Sequence, residues 1–323
     1  MDHVFAGIDI GGTTVKIAFI QEDGSILDKW EIPTDKTEKG KHILRDIAAS
    51  VNERKNTLDG LTLKGAGVGA PGYIDVDHGV IVEAVNLGWK DYKVADILRD
   101  ALEIPVFVDN DANLAAAGEK WLGAGDNANN LLAVTLGTGV GGGILAGGEI
   151  IHGHAGLAGE IGHITSVKDD GAPCNCGKKG CLETVSSATG IARLGTEAAS
   201  EYPDSSLHAV IASKDKLEAK DVFAEAGKGD QAARKVVQES MEHLGFALAN
   251  LCNSFNPQVV VIGGGVSKAG KQLIDAIRPS FNRFAIPKIA DETDMVIATL
   301  GNDAGVIGGA WLARQKLTAA EAG

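Results

Sequence analysis

Cysteine is scarce in this 323-residue chain, which contains four cysteines. So few cysteines cannot form the dense disulfide framework of small secreted domains. Three of the four nevertheless fall within the stretch CNCGKKGC at 174–181. In a reducing compartment, a clustered trio of this kind favours a metal site over disulfide bridges.

Long apolar runs are also missing from the sequence. No stretch approaches the roughly 20 apolar residues of a membrane-spanning helix, although an apolar content of 44% suffices for the cores of a two-domain globular protein. The first residues, MDHVFAGIDIGG, lack the basic region, apolar region and cleavage site of a secretory signal. We therefore predict a cytoplasmic protein with no membrane partner.

Basic residues are outnumbered by acidic ones. The chain has 30 lysines and arginines against 43 aspartates and glutamates, which gives a formal net charge of −13. An electrostatic field of this sign repels phosphate backbones. We therefore expect no nucleic-acid partner.

Glycine, in contrast, is abundant. It occupies 43 of 323 positions, roughly twice the usual share of about 7%. Many glycines form short clusters directly after strand-like runs. Such clusters make tight turns or let the backbone approach a ligand closely.

Apolar periodicity predicts strands at two related places in the chain. HVFAGIDI, TVKIAFI and ILDKWEI read as three strands within 3–32, because β-branched residues recur in them and Asp-Gly favours a hairpin turn. LLAVTLGTGVGGGILAGGEII at 131–151 repeats this order of strand, glycine turn and strand. The repeat predicts two α/β domains with similar first strands.

Helices are predicted between and after these strands. Residues 38–58 show helical spacing, and the strand PVFVDN runs into the alanine-rich DANLAAAGEKWLG. We predict an N-terminal α/β domain over 1–120, on which a C-terminal helix at 303–318 packs back. A C-terminal α/β domain over 121–302 would carry the cysteine motif.

Three glycine turns follow apolar strands, at the strand ends where α/β sheets bind ligands. In DIGGTTVK, N–H groups and two hydroxyls can contact phosphate oxygens, and Asp9 can hold Mg²⁺ through water. TLGTGVGGG has the same kind of glycine turn for phosphate binding. In IGGG, the backbone without side chains can lie against an adenine ring. The predicted nucleotide-binding residues are Asp9, Gly11, Gly12, Thr13, Thr14, Gly137, Thr138, Gly139, Gly264 and Gly265.

VDNDAN at 108–113 places carboxylates and amides between a strand and the predicted start of a helix. Residue type alone favours helix N-capping at this point. Because successive side chains leaving a strand alternate in direction, Asp109 and Asp111 could share a face. The residues by themselves leave open which of them, if either, is a catalytic base.

The cysteine trio needs a fourth N or S ligand to complete the tetrahedron that zinc prefers. The three thiolates would come from Cys174, Cys176 and Cys181. His163 lies upstream of the trio, after the phrase AGEIG. His152 and His154 are alternatives by proximity, but they lie in a glycine-rich loop, where we expect solvated histidines.

Four phrases, DIGGTTVKIA, LGTGVGGGI, AGEIGHI and CNCGKKGCLE, together resemble the ROK family (repressors, open reading frames and sugar kinases). The resemblance covers nearly the whole chain. It implies an α/β fold of the two-domain, actin-like ATPase (sugar kinase/ribonuclease H-like) class with an interdomain cleft. Within the family, the phrase NLGW, the chain length and the short segment before Asp9 are most similar to the bacterial glucokinases.

The resemblance also implies roles for individual residues. Asp111 would be the general base for the primary hydroxyl of the sugar, and Asn110 would hold a neighbouring hydroxyl. His163 would be the fourth ligand of a closed, structural Zn²⁺ site. ATP with Mg²⁺ would be the co-substrate. The implied sugar-binding residues are Asn86, Asn110, Asp111, Glu160, His163 and Glu183.

The expected function is transfer of the γ-phosphate of ATP to the 6-hydroxyl of D-glucose, giving glucose 6-phosphate. A kinase for N-acetylmannosamine, N-acetylglucosamine, fructose or allose fits the same residues, and a sugar sensor without turnover is a further alternative. Family repressors carry a helix-turn-helix region before the DIGGT-type strand, and few residues precede Asp9 here. We expect a cytoplasmic homo-oligomer, a dimer or a tetramer.

Overall fold

The structure is a computed structural model that describes residues 3–56, 58, 60–214 and 216–322. Its strands are β1 His3–Ile10, β2 Thr14–Gln21, β3 Ile26–Pro33, β4 Thr62–Ala70, β5 Tyr73–Asp75, β6 Val80–Ala84, β7 Trp89–Tyr92, β8 Val106–Asn110, β9 Leu131–Leu136, β10 Val140–Ala146, β11 Glu149–Ile150, β12 Val259–Gly263 and β13 Asp294–Ile297. Its α-helices are α1 Ile43–Lys55, α2 Val94–Leu102, α3 Asp111–Leu122, α4 Glu183–Ser186, α5 Ala188–Glu201, α6 Leu207–Lys214, α7 Ala219–Lys228, α8 Gln231–Phe255, α9 Lys271–Phe284, α10 Pro287–Glu292 and α11 Ala304–Ala322.

The chain divides into two compact units. The first unit comprises Met1–Asn129, Gly143–Gly159 and Thr299–Gly323. The second unit comprises Asn130–Gly142 and Glu160–Ala298. The chain therefore returns to the first unit twice, once through the segment that includes β11 and once through α11.

The first unit contains a five-stranded sheet in the order β3-β2-β1-β4-β8. Strands β1, β2 and β3 are antiparallel neighbours, whereas β1, β4 and β8 run parallel. Ile8, Ile17 and Phe19 are fully buried in this sheet, as β-branched and aromatic residues on a packed sheet surface should be. The three strands predicted within 3–32 are confirmed.

Helix α11 packs on the first sheet. Val306, Ile307 and Ala310 of this helix form a buried cluster with Phe5 and Ile20 of the sheet. The cluster places the last helix of the chain against the first strands.

The second sheet has the order β11-β10-β9-β12-β13. Strands β9, β12 and β13 run parallel, and β10 pairs antiparallel with β11. The strand order and these pairing directions match those of the corresponding strands in the first sheet. The internal repeat predicted from the sequence is confirmed at the level of topology.

Helix α8 buries one apolar face. Leu244, Leu248 and Cys252 lie on that face and are fully buried. The helix ends at Phe255, and Asn256 has a φ of 51° immediately before Pro257, as expected because proline disfavours helical backbone in the residue before it. Burial raises the pKa of the Cys252 thiol to about 12, as expected for a cysteine within an apolar core. No helix among the described residues is both long and apolar enough to cross a membrane.

Candidate active site

The carboxyl ends of three parallel strands form one edge of the first sheet. Asp9 in β1 is in register with Gly69 in β4, and Gly69 is in register with Asp109 in β8. Burial raises the pKa of Asp9, and the positive charge of Lys16 opposes that shift. Lys16 itself donates a hydrogen bond to the Asn302 carbonyl at 3.2 Å. This edge therefore concentrates carboxylates where ligands bind in α/β sheets.

The loop after β1 is held by its own backbone. Gly11 N–H donates to the Thr14 carbonyl at 3.0 Å, and the Thr13 carbonyl accepts from Thr34 N–H at 2.9 Å. The Thr34 hydroxyl donates to the Gly11 carbonyl at 2.8 Å. Gly12 and Thr13 are exposed at the tip of the loop. A preformed, exposed turn of this kind can present N–H and hydroxyl groups to a phosphate.

Asp109 is buried and fully hydrogen-bonded. One carboxylate oxygen accepts from the backbone N–H of Asn110 at 2.7 Å and from the Asn113 amide at 2.9 Å. The other oxygen lies 2.6 Å from Nε2 of His152. The prediction that His152 is a solvated loop histidine is therefore wrong, because its ring packs against a buried carboxylate. His154, two positions later, is exposed as expected.

Asn110 and Asp111 lie at the start of α3 and have different roles there. Asn110 is the N-cap, because its side-chain oxygen accepts from Ala112 N–H at 2.9 Å. Its amide nitrogen donates to the Gly72 carbonyl at 3.3 Å. Asp111 is the first helical residue and is exposed, with one oxygen 2.8 Å from Ala112 N–H. Asp109 and Asp111 do not share an environment, because the helix begins directly after the strand and turns Asp111 outward.

Asn86 lies elsewhere in the first unit. It occupies the exposed turn between β6 and β7. The turn closes through hydrogen bonds from Leu87 N–H and Gly88 N–H to the Ala84 carbonyl. Asn86 is therefore accessible on the three-stranded sheet β5-β6-β7.

The second glycine loop, in the second unit, is fixed by the segment around Glu183. Gly137 N–H donates to the Gly139 carbonyl at 3.0 Å, and Val140 N–H donates to Oε2 of Glu183 at 3.1 Å. A Cβ atom on Gly139 would lie 2.1 Å from the same Glu183 oxygen. The loop can approach this carboxylate so closely because residue 139 has no side chain.

Four possible metal ligands converge beside this loop. They are His163, Cys174, Cys176 and Cys181, and their ligand atoms all lie within 4.8 Å of one another. The sulfurs of Cys176 and Cys181 are 3.6 Å apart, and the Cys174 sulfur is 3.6 Å from Nδ1 of His163. Two thiolates bound to one tetrahedral zinc at about 2.3 Å lie roughly 3.8 Å apart. The separations and the donor set therefore fit Zn²⁺.

The thiol chemistry of the cluster points the same way. Burial raises the pKa of Cys181 to about 12, and the neighbouring Cys176 and Cys174 sulfurs shift it in the same direction. A thiol in such surroundings ionises readily only when a cation compensates the charge. Cys181 is the last residue of the CNCGKKGC motif, and a metal bound by the cluster would supply that charge.

Glu160 and Glu183 both lie beside this cluster. Glu160 immediately precedes the 3₁₀ turn Ile161–His163, and its carboxylate is 3.7 Å from Nε2 of His163. Oε1 of Glu183 lies 3.8 Å from the Cys174 sulfur. The imidazole of His163 thus directs Nδ1 to the cysteines and Nε2 to a carboxylate that is about half exposed.

The second unit contains a pocket beside Gly265, one of the predicted nucleotide-binding residues. The pocket has a volume of 570 Å³, and its lining includes Ala188, Glu218, Phe223, Gly265, Lys268 and Gln272. A neighbouring pocket of 440 Å³ includes Thr138, Ala188 and Glu218 in its lining. Two predicted nucleotide-binding segments, around Thr138 and Gly265, therefore border adjoining pockets. Glu218, which lines both pockets, immediately precedes α7, and its backbone N–H donates to the Asp221 carboxylate at 3.2 Å. A third groove, of 480 Å³ and lined partly by Arg234 and Arg283, contains none of the predicted site residues.

Comparison with known proteins places this arrangement in a family. The model of the ROK family matches residues 5–316. The chain belongs to the ROK family. A glucokinase of Halalkalibacterium halodurans is 53% identical over 327 residues, which cover 100% of this chain and 98% of that protein. A glucokinase of Thermotoga maritima is 36% identical, with coverage of 96% and 97%.

Solved structures of the family have the same fold. A ROK family glucokinase from Streptomyces griseus, crystallised with glucose and AMPPNP, is 35% identical with a TM-score of 0.77. The two chains are covered to 97% and 99%. A ROK hexokinase from Thermus thermophilus is 31% identical with a TM-score of 0.83, at coverages of 98% and 99%. The predicted class, the two-domain actin-like fold of ROK kinases, is confirmed.

Proposed function

We propose that this protein is a glucokinase that transfers the γ-phosphate of ATP to the 6-hydroxyl of D-glucose. The observation that carries the proposal is the end-to-end likeness to glucokinases, at 53% identity with the Halalkalibacterium halodurans enzyme. An exposed carboxylate, Asp111, beside the N-cap Asn110 supplies the chemistry that this reaction needs. An ATP-dependent hexose kinase is thus supported by both the relatives and the site.

Asp111 is the proposed general base. As the 6-oxygen of glucose attacks the γ-phosphorus, its proton passes to the Asp111 carboxylate and the bond from γ-phosphorus to the bridging oxygen of ADP breaks. Asp109 is unsuited to this role, because it is buried and both its oxygens are engaged by neighbouring groups. Asp111 lies in the first turn of α3, at the positive end of the helix dipole.

Sugar hydroxyls would be recognised by paired polar side chains. Asn110 would hold a hydroxyl next to the reacting one, and Asn86 is a further proposed contact. In the second unit, Glu160 and His163 present a carboxylate and an imidazole 3.7 Å apart, a spacing suited to hydroxyls on adjacent carbons. Glu183, which already accepts from Val140 N–H, would add a third group. D-glucose is the proposed hexose because the relatives from Halalkalibacterium halodurans and Thermotoga maritima are glucokinases.

The nucleotide would be bound mainly by backbone. Phosphate oxygens would be held by the two glycine loops through Gly11, Gly12, Thr13, Thr14, Gly137, Thr138 and Gly139. The pocket beside Gly264 and Gly265 would hold the adenosine part, and Asp9 would bind Mg²⁺ through water. When bound, Mg²⁺ neutralises charge that develops on the phosphates.

Zinc would have a structural role. His163, Cys174, Cys176 and Cys181 would occupy all four positions, so the ion would keep no open position for substrate. The metal would fix His163 and the segment that carries Glu183. A cytoplasmic homo-oligomer, a dimer or tetramer, completes the proposal.

The decisive test is Asp111→Asn. The variant keeps nearly the same volume and can still hydrogen-bond the alcohol, but it cannot accept its proton. We expect kcat to fall about 10²–10⁴-fold, or roughly 3–5 kcal/mol of barrier, while the glucose Kd and the melting temperature change little. The assay couples ADP release to a dye, calorimetry gives the Kd, and Asp100→Asn on the exposed face of α2 is the matched control.

The same assay separates the alternatives. A kcat within a few-fold of wild type would refute Asp111 as the base. Equal or faster turnover of N-acetylmannosamine, N-acetylglucosamine, fructose or allose would reassign the substrate, and polyphosphate in place of ATP tests the donor. Glucose binding without any ADP release by the wild-type protein would identify a sugar sensor instead.

A further inference from the structure

We propose that His152 and Asp109 form a positioning pair that fixes the turn carrying Asn110 and Asp111. The inference rests on the proposed kinase function, because it assigns the pair a role toward the proposed base. Neither residue would contact substrate. Both lie in the first unit, 43 residues apart in sequence.

The first observation is how Asp109 is used. Its side chain is 2% exposed, and its two oxygens are divided between two tasks. Oδ1 accepts from the backbone N–H of Asn110 and the side chain of Asn113, which are the residues just before and within the first turn of α3. Among the described residues, the hydrogen-bond partner of Oδ2 is Nε2 of His152, at 2.6 Å. The carboxylate therefore connects the start of α3 to His152.

The second observation is how His152 is held. It follows β11, and Ile151 N–H donates to the Ile144 carbonyl at 2.8 Å. The His152 carbonyl accepts from Ala158 N–H at 3.0 Å, which closes the loop 152–158 on itself. The ring is 24% exposed. Backbone bonds thus fix the position from which the ring reaches Asp109.

Removing the ring would leave a buried carboxylate oxygen without a partner. Such an oxygen is costly to leave unsatisfied, so the carboxylate should rotate toward other donors or admit water. Either change weakens the bond to Asn110 N–H, and the Asn110 side chain caps α3 through Ala112 N–H. Displacements of about 1 Å in a reacting group can cost on the order of 10²-fold in rate.

The test compares a variant that keeps the donor with one that removes it. His152→Gln can still donate to Asp109, whereas His152→Leu fills a similar volume without a donor. His154→Leu, on the same loop but exposed, is the matched control. Each variant is assayed for kcat, for the KM of glucose and of ATP, for melting temperature, and for hydrogen exchange of the Asn110 amide without substrate.

We expect His152→Leu to lower kcat about 10–100-fold and to speed Asn110 amide exchange, with the ATP KM little changed. His152→Gln should restore both readouts to within a few-fold of wild type, and His154→Leu should change neither. Equal losses in the Gln and Leu variants, or unchanged Asn110 exchange in His152→Leu, would overturn the proposal. If His152→Leu does not fold, His152→Ala replaces it.

The exchange measurement keeps this proposal separate from the proposed function. A wild-type protein that does not phosphorylate glucose would refute the glucokinase assignment. Faster Asn110 exchange in His152→Leu, restored in His152→Gln, would still support the positioning pair in that case. Normal wild-type activity with unaffected exchange would refute only the pair.

Discussion

The two five-stranded sheets share strand order and a core of three parallel strands, yet their strand ends carry different chemistry. At the carboxyl edge of the first sheet lie Asp9 and Asp109, in register through β4, with Asp111 just beyond β8. At the corresponding edge of the second sheet, β12 ends in Gly263 and continues into Gly264 and Gly265. The edge of the first sheet presents carboxylates, whereas the edge of the second sheet presents glycine backbone.

In the proposed function, this difference matches what phosphoryl transfer requires. The accepting hydroxyl needs a base and the metal needs oxygen ligands, and carboxylates supply both. The phosphates and the base ring of the nucleotide need N–H groups and a close approach of the backbone, which glycine allows. Two copies of one topology can therefore serve two halves of a reaction through different residues at their strand ends.

The largest effect should come from the metal site, a feature of the second unit. Cys176→Ser removes one of four converging ligands, so we expect bound zinc to fall from about one equivalent per chain to well below one, with a lower melting temperature and weaker glucose binding. Elemental analysis of dialysed protein measures the bound zinc, and calorimetry measures glucose binding. Cys252→Ala, which removes a buried core cysteine, is the control and should keep its zinc.

Wild-type protein that holds well under one equivalent of zinc would contradict this prediction. Full zinc content in the serine variant would show that Cys176 is not a ligand.

An effect of intermediate size is expected on stability at Gly264 and on ATP binding at Gly265, two adjacent glycines that follow β12. Gly264 has a φ of 84°, and a Cβ there would lie 2.5 Å from the Leu136 carbonyl oxygen, whereas Gly265 has no atom within 4 Å of such a Cβ. Gly264→Ala should therefore lower the free energy of unfolding by about 1–3 kcal/mol. Gly265→Ala should leave the stability unchanged but weaken ATP binding, if the nucleotide lies against this backbone.

Chemical denaturation and ATP calorimetry on both variants provide the measurements. Gly12→Ala is the parallel change in the first unit, since a Cβ on Gly12 is also unobstructed. Unchanged ATP affinity in Gly265→Ala would remove the second glycine edge from the nucleotide site.

The smallest effect should be the change in stability caused by substituting Asp9, at the carboxylate edge of the first sheet. Because burial raises the pKa of Asp9, the folded protein binds more protons than the unfolded chain between the ordinary value of 3.8 and the raised value. The free energy of unfolding therefore falls as the pH increases through that window. Asp9→Asn should remove this penalty and slightly raise the melting temperature at neutral pH in EDTA, and the gain should shrink as the pH falls toward 3.8.

Thermal unfolding at several pH values checks the sign. A lower melting temperature of Asp9→Asn at neutral pH would show that the charged carboxylate stabilises the fold. Lys29→Gln, at an exposed ion pair with Asp303, serves as a control of ordinary surface electrostatics.

The sequence was most informative where the determinants are local. Alternating and buried apolar residues predicted β1, β2 and β3 almost to their ends. The cysteine motif predicted three converging sulfurs, because their spacing is short. These features depend on neighbours along the chain, which a pattern can record.

Pairs that are distant in sequence were not predictable in this way. His152 was expected to be solvated, because nothing near it in sequence signals Asp109. Glu119 in α3 is buried and accepts from the backbone N–H groups of Thr299 and Leu300, about 180 residues away. The position of Glu119 in α3 gives no indication of these distant partners.

By itself, then, the sequence determined the strands, the main helices, the repeat and the types of residue available for chemistry, because periodicity and turn propensity act over a few residues. The tertiary structure decided which carboxylate is exposed and which is buried. Asp109 and Asp111 are two positions apart and chemically identical, but β8 ends and α3 begins between them. That junction turns one carboxyl group toward His152 and the other outward, and it exists only because the parallel strands and α3 pack together.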